Sequence, residues 1–269
     1  MKYVFSIALI CVMTVGFAQK TVDYSRVLPG VVKLSETLYL DKTEISNASW
    51  KEYVYDIEKK HGKTSSEYLE ALPDTLVWEQ NISYSSPYVS YYYRHPAYAS
   101  YPVVGITWQQ AVDYCSWRTE KVRAYQLASG KQEQAPLYFA YRLPAEDEYS
   151  AMLEDMAAVP NIIGEEGKRK YRGMARYNMK RNAEDYMGQA GALNDNADIT
   201  APVESYWPNS QGIYNVKGNV SEWTLTENVH VGGSWSMPME GDAAASKQES
   251  GASSHIGFRC ACEVANDMP

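Results

Sequence analysis

Histidine, phenylalanine and cysteine are all scarce in this 269-residue chain, at four residues each. The histidines, His61, His95, His230 and His255, are scattered without ligand spacing, and no His-Glu-x-x-His pattern occurs, so a histidine-based metal centre is not expected. A Gly-x-Ser-x-Gly nucleophile elbow is also missing, which removes the commonest hydrolase template. Lysine and arginine do not cluster, and a net charge of −8 excludes an electrostatic nucleic-acid surface. Beyond the N-terminus, no apolar run approaches the roughly 20 residues that a membrane helix needs.

Tyrosine is in excess, with 23 Tyr against four Phe, beside seven Trp. Each tyrosine joins apolar area to a polar tip. Such a surplus suits half-wet interfaces, or a loop-rich domain stitched together by hydroxyl groups. The length is enough for a sizeable core, and 45% apolar with 22% charged residues is ordinary for a globular protein. The first eighteen residues read as an export signal: Lys2, an apolar stretch from Tyr3 to Val15, then Gly16-Phe17-Ala18 as a small-x-small cleavage site. Lipid attachment at Cys11 is not expected, because Ile10 stands where a small residue is wanted. The organisation expected is a signal over 1–18, a lead-in over 19–35 and one domain over 36–265. Export to the periplasm or beyond would put Cys115, Cys260 and Cys262 where disulfides persist. Cys260 and Cys262, one residue apart, cannot easily bridge each other.

Leu38 to Ile45 begins as a strand, and Ser46-Asn47 then caps a helix whose apolar residues Trp50, Tyr53, Val54 and Ile57 follow helical spacing up to Gly62. The tyrosine-rich stretch over 71–101 contains Pro87 and Pro96 and is not expected to be helical. Thr107 to Lys121 predicts a capped helix with Trp108, Ala111, Val112, Cys115 and Trp117 on its buried stripe. Leu137 to Leu143 reads as a strand, and a helix follows from Ala145 with Glu146 and Glu148 in its first turn. Residues 160–200 predict a long structured loop.

The most informative stretch is Gly212-Ile213-Tyr214-Asn215-Val216-Lys217-Gly218-Asn219-Val220-Ser221-Glu222-Trp223. Its glycines permit a tightly folded loop. Asn215, Glu222 and the carbonyls of Gly218 and Val220 form the mixed oxygen set that calcium takes. The same residues also suit a turn stitched by side-chain bonds to the backbone, with Trp223 as a core anchor. Both readings stand at this point.

This stretch resembles the GLYDMxGNVWEW signature of the formylglycine-generating (sulfatase-modifying factor) superfamily. Four further stretches resemble that family in its order: Leu38 to Asn47, Pro102 to Trp108, Tyr141 to Tyr149, and a divided end of Gly232-Gly233-Ser234-Trp235 with Gly257-Phe258-Arg259-Cys260-Ala261. The resemblance implies an α+β, C-type-lectin-like fold with much irregular structure. It implies a Cys115–Cys260 bridge, which would stabilise by roughly 4–5 kcal/mol in the chain-entropy model. It also implies a second calcium set at Asn178, Met179, Asp195 and Ala197.

The family's oxidase chemistry needs two cysteines that hold copper(I) shortly after the Gly-Gly-Ser-Trp motif. Here that region, Ser236 to Lys247, has no cysteine and only Met237 and Met239 as sulfur ligands, so no copper is expected. The tyrosine-rich insert looks like that of the gliding-motility-associated lipoproteins of Bacteroidota linked to type IX secretion, of which this chain resembles a shorter paralogue. The expectation is a non-catalytic exported protein with cell-envelope partners, able to oligomerise through the insert. A divergent metal-dependent oxidoreductase and a lectin-like binding module are the alternatives.

Overall fold

The structure is a computed structural model and describes residues 23–80, 85–180 and 199–265. The export signal, Asp195 and Ala197 lie outside the described residues.

After a 3-10 turn at Tyr24–Arg26 come β1 (Val31–Lys33), β2 (Leu38–Asp41), α1 (Asn47–His61), α2 (Ser66–Glu70), α3 (Ser86–Tyr91) and α4 (Trp108–Ala128). Then follow β3 (Tyr138–Arg142), α5 (Glu146–Ala157), β4 (Ser221–Trp223), β5 (Val229–Val231), β6 (Lys247–Gln248), β7 (Ile256–Gly257) and β8 (Ala261–Ala265). The strands form two sheets, ordered β1-β2-β8-β3 and β6-β5-β4-β7. Among the described strands, all pairings are antiparallel except β4 with β7. Strand β8 therefore inserts the C-terminal end of the chain between β2 and β3. This α+β arrangement with long irregular connections is the expected class.

Local chemistry explains the longer elements. Ser46 caps α1 by accepting from Ser49 N, and Gly62 ends it at φ 89°, where only glycine sits without strain. Thr107 caps α4 in a reciprocal box: its hydroxyl accepts from Gln110 N, and Gln110 Oε1 accepts from Thr107 N at 2.7 Å. Helix α4 runs seven residues past the predicted end at Lys121, burying Val122 and Gln126 beyond it.

Two expectations are corrected. The lead-in over 19–35 is, from Tyr24 onward, part of the fold: Tyr24, Leu28 and Val31 are buried and β1 is a sheet edge. Their spacing follows neither a helical nor a strand period, so nothing local announced them. The tyrosine-rich stretch does contain a helix, α3, because Pro87 falls in its first turn, where a missing N–H costs nothing.

Among the described residues the core has three parts. The largest packs α1 and α4 against the first sheet, around Trp50, Tyr114 and Phe258. Trp50 and Tyr114 stack at 5.4 Å, and Phe258 meets both edge-on. A second part gathers Tyr149, Met152, Met179, Ile213, Val216 and Met239 under α5. In the third, the insert folds on itself and onto the Gly-Gly-Ser-Trp motif: Trp78 contacts Tyr92 at 4.6 Å and Trp235 at 6.1 Å. Tyr88, Tyr92, Tyr98 and Tyr101 pack in this part, and Tyr91 stays exposed. Among the described residues no helix is long and apolar enough to cross a membrane.

Tyr92 is the pivot of the insert, since its buried hydroxyl donates to Pro102 O at 2.7 Å and meets Thr200 Oγ1 at 2.8 Å. Tyr92→Phe keeps the ring and strands these partners, at an expected cost of about 1–3 kcal/mol. Urea unfolding with an unchanged m-value measures it; no loss would mean that ring packing alone holds the insert.

Candidate functional site

The 212–223 stretch is a loop that closes into β4, and its shape follows from its residues. Asn215 and Asn219 both sit at positive φ, 51° and 64°, where asparagine is among the few tolerated side chains. Gly218, at φ 84°, has no room for a Cβ, which would lie 2.7 Å from Met179 Cγ and 2.9 Å from Asn178 O. These backbone choices turn the loop's polar side chains inward.

There they meet Glu44 and Arg259, brought from the two ends of the domain. Arg259 donates to both oxygens of Glu222, at 2.7 and 2.6 Å, and the two side chains are fully buried. Its remaining donors reach Asp41 O at 3.2 Å and Tyr214 O at 2.8 Å. Glu44 accepts from Asn219 Nδ2 at 2.8 Å and from Asn215 Nδ2 at 3.1 Å. Asn219 Oδ1 accepts from Ala201 N at 2.7 Å and from Asn178 Nδ2 at 3.0 Å. Two acids share one guanidinium, so a negative charge is left over. Burial, with the Glu222 charge beside it and against the pull of Arg259, pushes Glu44 up to about 8.

Both oxygens of Glu222, a member of the first predicted calcium set, accept from Arg259, a pairing that a bound cation would have to displace. The Asn215 amide nitrogen donates to Glu44 and Val203 O, and its Oδ1 is the atom that would face a cation. Gly218 and Val220 shape the loop, with Val220 buried beside Trp78 and Trp235. Of the second set, Asn178 donates to Ile199 O at 2.8 Å and Met179 is a core residue. Asp195 and Ala197 lie outside the described residues, so that set is incomplete here.

Cys115 on α4 and Cys260 just before β8 come together, Sγ to Sγ 3.4 Å, as buried thiols in contact. Asp41 braces them: it accepts from Cys260 N at 2.9 Å and takes both ends of the Arg118 guanidinium at 2.6 and 2.7 Å. Burial pushes the Cys262 thiol up to about 12, away from the thiolate form.

The region after Gly-Gly-Ser-Trp is built without thiols. Met239 is buried in the second core part, and Met237 Sδ lies 3.2 Å from Lys247 Nζ. A cavity of about 690 Å³ opens beside this loop, lined by Ser150, Asn161, Lys217 and Asp242. Lys217 donates to Asn161 Oδ1 at 2.8 Å, and its burial lowers the amine's affinity for a proton. A second cavity, about 490 Å³, lies behind Asp41 and Arg118, walled by Tyr114 and Trp117.

His230 and His255, 25 residues apart in sequence, come together on the second sheet with ring centroids 6.4 Å apart. Pairing of β4 with both β5 and β7 causes this, and no local spacing could have announced it. Burial and the nearby Lys247 charge hold both imidazoles below their usual range, His230 at about 4.

A buried glutamate–arginine pair thus lies beneath an asparagine- and glycine-rich loop, between two small sheets. The chain belongs to the sulfatase-modifying factor enzyme 1-like domain family, which it matches over residues 11–264. It is 25% identical to the formylglycine-generating enzyme of Mus musculus over 217 residues, covering 69% of this chain and 48% of that protein. The Bos taurus enzyme is likewise 25% identical, over 70% of this chain and 48% of its own length. The chain thus spans about half the length of these relatives. Among solved structures, CarF is 19% identical, covering 85% of this chain and 87% of its own, with a TM-score of 0.48. Treponema denticola variable protein 1 is 16% identical over 87% of this chain and 91% of its own, with a TM-score of 0.46.

Two outcomes follow from the buried network. Glu222→Ala strands Arg259 without a counter-charge and should cost about 3–5 kcal/mol in denaturant unfolding, with EDTA leaving the wild-type midpoint unchanged. A midpoint that falls on chelation would place calcium in this loop. For Glu44, the folded value of about 8 lies above the unfolded 4.5, so the folded state holds the proton more tightly. The stability this contributes is whole below the unfolded value, declines as pH rises and is gone above about 8. Glu44→Gln carries no such proton and should lack that decline; urea midpoints from about pH 5 to 9 for both proteins decide it.

Proposed function

We propose that this chain is an exported, non-catalytic binding or assembly protein of the cell envelope, working with gliding-motility or type IX secretion machinery. One observation carries the non-catalytic part: the loop over 236–247 has no cysteine, and Cys115, Cys260 and Cys262 are all buried in the α1–α4 core part. Copper(I) is selected by soft thiolates at one centre, and neither a core methionine nor one already facing an ammonium supplies that. Copper is accordingly absent from the proposal.

The export part rests on the N-terminal signal pattern and the envelope part on the tyrosine-rich insert. In an oxidising compartment the Cys115 and Cys260 thiols would close to a disulfide, needing only a small approach of two sulfurs already in contact.

The test is oxygen consumption by purified chain loaded with copper(I) and given a cysteine-containing peptide. The expected rate equals that of copper in buffer, with no aldehyde in the peptide's mass spectrum. Turnover that the chain accelerates would return it to the oxidoreductases. Crosslinking in cells, read by mass spectrometry, should then recover envelope proteins.

A further inference from the structure

We propose that the cavity between Arg176 and Trp207, with the basic turn beside it, binds an acidic oligosaccharide of the uronate type. The inference rests on this cavity and turn alone and does not depend on the envelope reading above.

The first support is a pair of unspent donors. A cavity of about 260 Å³ has Asp155, Arg176, Tyr177, Trp207, Asn209 and Ser210 in its lining. Arg176 Nε and Asn209 Nδ2 are both buried without a hydrogen-bond partner. A buried donor left bare costs about 1–3 kcal/mol, so two of them in the wall of one cavity mark a place made for an acceptor. Asn209 Oδ1 accepts from Gln211 N at 3.1 Å and from Ile213 N at 3.0 Å, which assigns the bare end of that amide as its NH2 group. Arg176 donates from Nη2 to Glu166 Oε1 at 2.9 Å, which steadies the guanidinium. A planar guanidinium with donors to spare matches a carboxylate.

The second support separates a sugar from a bare anion. Asp155 stands in the same wall, its Oδ2 accepting from Ser210 N at 3.1 Å, and it would repel a ligand that carried charge alone. A sugar hydroxyl both donates and accepts, so one ring can bond Asp155 and Asn209 together. Trp207 supplies flat apolar area; it is half-buried and stands edge-on to Tyr171 at 5.4 Å. An aromatic wall with a few converging donors and one acceptor is the lining that a polyhydroxylated ring takes.

Charge beside the cavity makes the sugar an acidic one. Lysine and arginine do cluster at one place, Lys168-Arg169-Lys170-Tyr171-Arg172, which corrects the reading of dispersed positive charge. The neighbouring acids are spent: Glu165 pairs with Arg172 at 2.8 Å and Glu166 with Arg176 at 2.9 Å. Lys168, Arg169 and Lys170 are exposed and form no ion pair among the described residues. Lys170 Nζ lies over the Tyr171 ring at 4.5 Å, and Tyr171 meets Trp207, so these cations adjoin the cavity. With one uronate against Trp207 and its carboxylate at Arg176, the next acidic sugars of the chain run onto the turn.

The test is calorimetry and tryptophan fluorescence on purified full-length chain with a galacturonate tetrasaccharide, beside maltotetraose and a tetraglutamate peptide. The galacturonate should bind saturably, at least about tenfold more tightly than either control, and less tightly as salt rises. Trp207→Ala and Arg176→Gln should each weaken it by about tenfold or more. The triple variant Lys168→Gln, Arg169→Gln, Lys170→Gln changes only exposed side chains and should remove most of the salt dependence. If Trp207→Ala or Arg176→Gln fails to fold, the triple variant and the wild-type comparison decide. No saturable uptake of galacturonate, or uptake that all the variants retain, overturns the site. Tetraglutamate bound as tightly would make the face an acidic-peptide surface, and maltotetraose bound as tightly would remove the part given to the turn; either result overturns the uronate assignment.

Discussion

The Arg259–Glu222 pair is the constraint on which the rest of the domain depends. Both groups are wholly removed from water, so each exists as an ion only because the other is there. Arg259 belongs to the segment leading into β8, and Glu222 to β4, one strand in each sheet. Their bond, with the guanidinium's further reach to Asp41 O and Tyr214 O, joins the first sheet, the second sheet and the 212–223 loop. A buried pair of this kind adds little net stability over an apolar substitute, but it makes any other docking of the two sheets very costly. Its contribution is to uniqueness of arrangement.

Glu44 shows how far that constraint reaches. It lies under the same loop, held by the Asn215 and Asn219 amides, and gives the cluster one acid more than Arg259 can neutralise. The excess is absorbed by a proton. Asparagine suits both positions: it tolerates the left-handed backbone that the loop needs, and its amide nitrogen donates to the acid, while at Asn219 the side-chain carbonyl also accepts from Ala201 N. The loop's shape and the cluster's charge balance are thus satisfied by the same two residues, which explains why a motif so short carries so much of the fold.

The loop over 236–247 contains methionine, glycine and alanine and no cysteine. Met239 and Ala243 fill the second core part, so the segment serves packing as well as lining a cavity. The thiols lie elsewhere, in the aromatic core beside Asp41 and Arg118, where burial suppresses thiolate formation.

Much of this was legible from residue order. Caps at Ser46 and Thr107, the apolar periods after them, and the ordered motifs all depend on chemistry within a few residues or on words of fixed spacing, and they foretold α1, α4, β3, α5 and the family. The charge, the scarce cysteine and the missing thiols of one loop were compositional facts that folding cannot alter. The partner of Glu222, the pairing of His230 with His255, and the place of β1 in a sheet were decided only by tertiary structure. Each joins residues whose contact arises when β8 and β4 enter their sheets, and an oxygen donor reads the same in sequence whether an arginine or a cation will meet it.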